Sequence, residues 1–154
     1  MIVRMISSTG AVVTLAVKGI TNAIFYRPMG VAVDSSGRYV YVGDENNNLV
    51  RKLALPPPPS PAIIVAVTHV AGNSASGFAD GTASTARFQS PAGVAIEPSG
   101  NTIIADFSNH RIRKVTPSGA VTSTWTCKVQ SPIELGKLRR GRRQDQDTFS
   151  LSGL

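Results

Sequence analysis

Cysteine is almost absent from this sequence. Cys127 is the single cysteine among 154 residues, so an internal disulfide and a zinc site built on cysteine pairs are both excluded. Charged residues reach only 16% of the chain and aromatic residues only 6%. No apolar run approaches the roughly 18 residues that a membrane-spanning helix needs. The shortages exclude a small disulfide-stapled scaffold and predict a chain without a helical membrane span.

Glycine, proline and basic residues are plentiful by contrast. The 14 glycines and 10 prolines disfavour long helices, while a hydrophobic content of 42% is enough to build a core. Sixteen Lys and Arg residues against nine Asp and Glu residues give a formal charge of +7. The length is that of about one domain. The composition therefore predicts one β-rich domain with a basic surplus.

An internal repeat organises most of the chain. Residues 25–37 align with residues 88–100 at an offset of 63, and residues 41–53 continue the match with 103–115 at an offset of 62. Residues 3–14 align with 112–123. The last copy has four strand candidates: 93–97, 102–105, 111–115 and 120–125. The turns at 98–101 and 116–119 each supply a Pro and a Gly, the first between the first two strands and the second between the last two. Short strands repeated at such a period are typical of β-propeller blades.

The last copy also resembles a known family. The run 90–96, Ser-Pro-Ala-Gly-Val-Ala-Ile, is followed by 105–115, Ala-Asp-Phe-Ser-Asn-His-Arg-Ile-Arg-Lys-Val. Together they resemble the NHL repeat, the β-propeller unit named for Asn-His-Leu. Asn109 and His110 keep the first two letters of that signature, whereas Asn47 and Leu49 of the middle copy keep the first and third. The resemblance covers residues 3–126 and implies a propeller fold.

The resemblance and the repeat divide the chain into parts. We predict an all-β, partial NHL-type β-propeller, open or truncated, with four-stranded antiparallel blades. Its predicted parts are a partial blade at 1–16, blades at 17–71 and 72–126, and a disordered basic tail at 127–154. Two and a half blades leave unpaired edges, which a stable protein must cover or pair. We therefore expect self-association through open blade edges as one possibility.

Strand alternation predicts which side chains are buried between neighbouring sheets. The apolar residues expected to be largely buried are Val31, Val33, Val94, Ile96, Ile103 and Ile104. The third strand alternates Arg111, Ile112 and Arg113, which predicts that one of its faces is solvated.

The repeated polar residues are predicted to be structural. Asp44 and Asp106 end equivalent strands, and a carboxylate that recurs in each blade fits a turn cap better than chemistry needed once. The resemblance implies a blade-stabilising hydrogen bond for His110. The full set of predicted structural signature residues is Pro28, Gly30, Asp44, Asn47, Pro91, Gly93, Asp106, Asn109 and His110. No catalytic residue, metal ligand or cofactor site is predicted, because His69 and His110 stand in non-equivalent strand positions.

Two segments offer binding alternatives. Pro56–Pro59 and Pro61 make a stiff surface loop or a ligand for an SH3-like groove. The tail contains five candidate polyanion-binding residues: Lys137, Arg139, Arg140, Arg142 and Arg143. Such a cluster can bind RNA, anionic lipid or a nuclear import receptor, and the alternative is a solvated tail without a partner. Arg4 and residues 11–17 mimic a signal peptide, but the repeat explains them better, so export is not inferred and the compartment stays open.

The function expected from these features is that of a non-catalytic scaffold for protein–protein interaction, since blades hold variable loops rigidly. The first alternative is an RNA-binding propeller that uses a basic face and the Arg-rich tail. The second is a degenerate lyase or a lactone or ester hydrolase, as some propellers resembling this one are.

Overall fold

The computed structural model describes residues 3–7, 9–15, 25–55 and 66–126, and nearly all of their regular structure is β. Two single-turn 3-10 helices, η1 (Glu45–Asn47) and η2 (Phe107–Asn109), interrupt the strands. The strands are β1 (Arg4–Ile6), β2 (Val12–Thr14), β3 (Pro28–Val33), β4 (Tyr39–Asp44), β5 (Leu49–Ala54), β6 (Ala66–Ala71), β7 (Gly81–Thr82), β8 (Pro91–Ile96), β9 (Thr102–Asp106), β10 (Arg111–Val115) and β11 (Ala120–Thr126).

The strands form three antiparallel sheets. Strands β3 to β6 pair in chain order as a four-stranded sheet. Strands β8 to β11 form the same meander, to which the two-residue β7 adds at the outer edge beside β11. Strands β1 and β2 make a separate hairpin. The two meanders confirm the prediction of an all-β, partial NHL-type propeller with antiparallel blades, because a propeller blade is a four-stranded sheet of this kind.

The short N-terminal hairpin reproduces the outer half of a blade. Arg4 pairs with Thr14 across β1 and β2, and Arg113 pairs with Ser123 across β10 and β11 in the register that the repeat predicts. The alignment of residues 3–14 with 112–123 therefore extends to strand pairing.

Two hydrophobic clusters hold the described residues together. Leu15, beside the hairpin, packs with Phe25, Val40, Val42 and Leu53 of the first meander. The second cluster joins both meanders and contains Val50, Ala71, Ala86, Phe88, Ile104, Val115 and Val121. Burial of such side chains is the main stabilising contribution in a small β domain, at about 25 cal/mol per Å² of apolar surface.

Glycine lets the innermost strands approach each other. A Cβ atom built on Gly30 of β3 would lie 2.1 Å from the carbonyl oxygen of Ala92 in β8. A Cβ on Gly43 would lie 2.7 Å from the carbonyl oxygen of Pro91. Both distances are far below van der Waals contact, so β3 and β4 can pack this closely on β8 only without side chains there.

The burial prediction is wrong for Val31 and Val33. They are 59% and 56% exposed, whereas Ile104 is fully buried as predicted. Strand β3 turns Gly30 and Ala32 toward its neighbour, and because side chains alternate, Val31 and Val33 lie on the opposite face. Val94, Ile96 and Ile103 are half-buried.

The glycine-rich stretch 72–81 connects the two meanders, and its last residue also joins a sheet, since Gly81 begins β7 and pairs with Val121. The segment from Pro56 to Pro61 and the tail 127–154, including its five basic candidates, lie outside the described residues, so those predictions stand untested, as do the blade boundaries. None of the helices in the described ranges is long and apolar enough to cross a membrane.

Candidate functional site

One end of the two meanders carries the signature residues, and we call it the loop face. It comprises residues 25–27, 45–48, 74–78, 89–90 and 107–110. Pairing of Pro28 with Asp44, and of Pro91 with Asp106, brings the strand ends beneath it together. The amide side chain of Asn48 connects the two meanders across this face, because its Oδ1 accepts a hydrogen bond from the amide of Ser90 at 3.2 Å.

Asp44 and Asp106 are fully buried beneath the loop face and make equivalent contacts. Asp44 Oδ1 accepts a hydrogen bond from the amide of Tyr26, and Asp106 Oδ1 accepts one from the amide of Gln89, each at 2.7 Å. Asn47 donates to Asp44 Oδ2 at 2.7 Å, and Asn109 donates to Asp106 Oδ2 at 2.8 Å. The carboxylates thus tie the segment that enters each meander to the turn after its second strand.

An arginine completes each cluster. Arg51 Nε lies 2.5 Å from Asp44 Oδ2, and Arg113 Nη1 lies 2.8 Å from Asp106 Oδ2. Arg113 is fully buried and Arg51 nearly so. The prediction of a solvated face for β10 is therefore wrong at Arg113: its charge is matched inside the sheet by a carboxylate, the condition under which a buried charge is tolerated.

Arg113 also holds the glycine-rich segment against the sheet. Its guanidinium donates to the carbonyl oxygens of Arg87 and Ala79 and to Asp80 Oδ1, at 2.9, 2.6 and 2.8 Å. It also lies 4.9 Å from the ring centroids of both Phe78 and Phe88. The segment before β8 is thus held by the same arginine that binds Asp106 beneath the loop face.

The backbone of the loop face is strained at residues other than glycine. In the described ranges, every non-glycine residue with a left-handed φ belongs to it: Arg27, Asn48, Ser74, Ser90 and His110, with φ from 52° to 68°. At the opposite end the left-handed turn positions are Gly10, Gly37, Gly100 and Gly119. A left-handed non-glycine residue costs on the order of 1–3 kcal/mol, and such strain concentrates at functional sites.

Aromatic and cationic side chains project from this strained backbone. Phe107 is 67% exposed, and Tyr26 and Phe78 are exposed as well. The Arg111 guanidinium lies 4.1 Å from the centroid of the Phe78 ring, a cation–π distance. Arg27 pairs with Glu45 at 3.1 Å. Exposed aromatic and arginine side chains on a rigid frame are the residue types that dominate binding at protein interfaces.

His69 and His110 lie in different parts of the fold and do not form a shared site. His110 is exposed and caps η2 through its backbone amide, which donates to Phe107 O at 3.0 Å. His69 lies in β6, where partial burial, followed by the positive charge of Arg51, lowers the pKa of its imidazole. In the described part of the chain, no three His, Cys, Asp or Glu side chains are grouped to hold a metal ion.

The structure brings together Asp44 with Asn47, and Asp106 with Asn109, while Pro28, Gly30, Pro91 and Gly93 lie in the inner strands that support them. Sequence reasoning missed the arginines. The signal was present, since each arginine follows its aspartate by seven residues in both copies. The exposed aromatics carry no such repeat, because Glu45 stands where the later copy has Phe107.

Comparison with known proteins agrees with this architecture. Residues 88–115 match the family model described as the NHL repeat, which confirms the resemblance seen in the last copy. SUPPRESSOR OF QUENCHING 1, a chloroplastic protein of Arabidopsis thaliana, is 30% identical to this chain over 94 residues, or 61% of the chain. The chain spans only 8% of the length of that protein.

Solved structures share the fold at low identity. An auxiliary nutrient binding protein from Bacteroides thetaiotaomicron is 21% identical with a TM-score of 0.59, over 75% of this chain and 28% of its own. A luciferin-regenerating enzyme is 15% identical with a TM-score of 0.57, over 80% of this chain and 36% of its own. These neighbours support the propeller architecture and have different activities.

Proposed function

We propose that this partial NHL-type β-propeller is a non-catalytic scaffold that binds a protein partner through its loop face. The observation that carries the proposal is the set of exposed aromatic side chains, Tyr26, Phe78 and Phe107, mounted beside left-handed backbone. The buried Asp106–Arg113 pair fixes the loops beneath them. A preorganised surface loses little conformational entropy on binding, and its affinity benefits accordingly.

One feature of the buried carboxylates supports binding over catalysis. In each copy, the buried carboxylate beneath the loop face (Asp44 or Asp106) accepts hydrogen bonds from a backbone amide and from the neighbouring Asn and Arg side chains. The oxygens of such a buried carboxylate are already occupied within the protein. A general base, in contrast, must come within hydrogen-bond distance of the substrate proton that it abstracts. Because propellers host both enzymes and binding proteins, the fold alone does not decide between them.

Affinity capture from an extract of the source organism tests the proposal. Wild-type protein should retain a partner that Phe107→Ser releases, because truncating a central aromatic commonly weakens an interface by more than tenfold. Ile6→Ser is the matched control, since it removes an apolar side chain that is 72% exposed on β1, outside the loop face. Equal capture by wild type and Phe107→Ser would overturn the assignment of the loop face.

RNA binding is the second candidate, and the basic surplus favours it. Aromatic rings next to arginine, as at Phe78 and Arg111, can stack on bases and contact phosphate. A fluorescent single-stranded RNA should then bind with an affinity that falls with salt. Loss of that binding in Arg111→Ser, with no protein captured by wild type, would favour the RNA reader over the protein scaffold.

A further inference from the structure

A cleft of about 400 Å³ opens between the two meanders at the end opposite the loop face. We propose that this inter-sheet cleft binds a small neutral polyhydroxylated molecule of the saccharide class. Its walls include Tyr39, Tyr41 and Lys52 from the first meander, and Glu97 and Thr102 from the second. The volume lies in the range of small-molecule pockets, which is about 300–1,000 Å³.

The first wall presents hydrogen-bond donors that find no acceptor among the described residues. Lys52 Nζ lies 4.9 Å from the centroid of the Tyr39 ring and makes no hydrogen bond or ion pair with a described residue. The equivalent lysine of the later copy, Lys114, instead lies 4.0 Å from Glu97. A lysine ammonium carries three donors, and at a cleft wall it can donate to ligand oxygens.

Tyr41 adds a second donor beside Lys52. The two residues face each other across β4 and β5. Burial raises the pKa of the Tyr41 phenol, and the negative charge of Asp34 raises it further, so the hydroxyl stays protonated. The later copy has Ile103 at this position. The repeat therefore does not require a polar side chain here, and a specific use for the hydroxyl is the simpler explanation.

The second wall supplies an acceptor. Glu97 Oε2 accepts hydrogen bonds from Asn101 and Ser99 at 2.6 and 3.1 Å. These bonds, the one from Asn101 first, lower the pKa of the Glu97 carboxyl, which stays ionised near neutral pH. Its Oε1 makes no hydrogen bond with a described residue, so this oxygen can accept from a ligand hydroxyl.

The balance of charge selects the ligand class. The carboxylates of Asp34 and Glu97 line the cleft together with Lys52. The two carboxylates repel an anionic ligand, and the ammonium of Lys52 repels a cationic one. A sugar hydroxyl both donates and accepts, and it can satisfy Glu97 Oε1 and Lys52 Nζ together. Apolar groups of Ile96 and Pro117 also line the cleft, and they suit the C–H faces of a sugar ring.

Amide chemical-shift titration of the full chain tests the proposal. D-glucose, D-galactose, D-mannose and maltose are each added to 50 mM, with sodium acetate as the anion probe. At least one sugar should produce saturable shifts confined to the amides around Tyr41, Lys52, Glu97 and Thr102. No such shift with any of the four sugars, or cleft shifts with acetate alone, would overturn the proposal.

Variants separate the cleft from general effects. Tyr41→Phe removes one oxygen and should weaken the sugar at least fivefold, and Lys52→Met should do the same. Arg4→Met makes a matched change outside the cleft, on β1, and should leave the affinity unchanged. Equal weakening in Arg4→Met would also overturn the proposal. If Lys52→Met does not fold, Lys52→Gln, which keeps a donor, should fold and retain part of the affinity.

Discussion

Arg113 Nη1 and Asp106 Oδ2 lie 2.8 Å apart, and both side chains are fully buried. The same relationship joins Arg51 to Asp44 in the preceding copy. Each ion pair lies at the end of a meander beneath the loop face. The same buried contacts therefore connect the strands to the loops. Removing one partner of a buried pair leaves an uncompensated charge, whereas replacing both partners by apolar residues removes that charge as well.

Asp106→Ala should therefore destabilise the protein by about 3–5 kcal/mol, as is typical when one partner of a buried ion pair is lost. The double variant Asp106→Leu with Arg113→Met should recover part of that loss, because it removes the charge of Arg113 but also its donors to the carbonyl oxygens of Arg87 and Ala79. Urea denaturation followed by circular dichroism measures both changes. A single variant as stable as wild type would contradict the role given to the pair.

The two inner-strand glycines should respond differently to alanine. Gly30→Ala places a Cβ 2.1 Å from the carbonyl of Ala92 and must push the meanders apart, whereas Gly93→Ala places one 3.3 Å from Ala105 Cβ. We expect a loss of about 1–3 kcal/mol or more for Gly30→Ala and less than about 1 kcal/mol for Gly93→Ala. Thermal melting compares them, and equal melting temperatures would contradict this packing.

Asp34, in the turn between β3 and β4, should make the free energy of unfolding depend on pH. Slight burial raises the pKa of the Asp34 carboxyl, but hydrogen bonds from the Ser36 hydroxyl and from the amides of Tyr39, Ser36 and Arg38 outweigh it and lower the pKa below the ordinary 3.8. A lowered folded pKa adds stability that is complete above 3.8 and is lost as pH falls through the folded value. At pH 7 the free energy of unfolding should be larger for wild type than for Asp34→Asn. This difference should become smaller near pH 2.5, where the carboxyl becomes protonated. An excess that grows on acidification would contradict the assignment.

The exposed stripe of β3 should govern self-association. Met29, Val31 and Val33 face solvent from one side of this strand, and contiguous exposed apolar surface promotes association. Val31→Asp should lower the apparent mass in light scattering without loss of stability, whereas Ile104→Asp should unfold the protein, because it buries an unpaired charge. A wild-type protein that stays monomeric at high concentration would contradict association through this stripe.

The basic tail should be dispensable for the β fold. Deletion of residues 137–143 should leave the circular dichroism spectrum unchanged and remove weak RNA binding, since each neutralised phosphate contributes about 0.7 to the salt slope for single strands. If the shortened chain binds RNA with the same salt slope, the loop face is the binding surface.

The sequence by itself determined the repeat, most of the strands and the positions of the signature residues. Local rules suffice for these features: Gly and Pro mark the turns, and alternation marks the strands, so the candidates 102–105 and 111–115 lie within β9 and β10 as observed. The recurrence of Asp44 at Asp106 also indicated a structural carboxylate before any contact was known.

Only the tertiary structure decided which face of a strand is buried and which charges are internal. Val31 and Ile104 look alike in sequence, yet one is exposed and the other buried, because burial depends on which sheet packs against each face. The sequence pattern alone predicts that Arg113 is solvated. In the structure it is buried and forms ion pairs with Asp106 and Asp80. The inter-sheet cleft likewise joins residues more than 40 positions apart, such as Lys52 and Glu97, and strand periodicity carries no information over that separation.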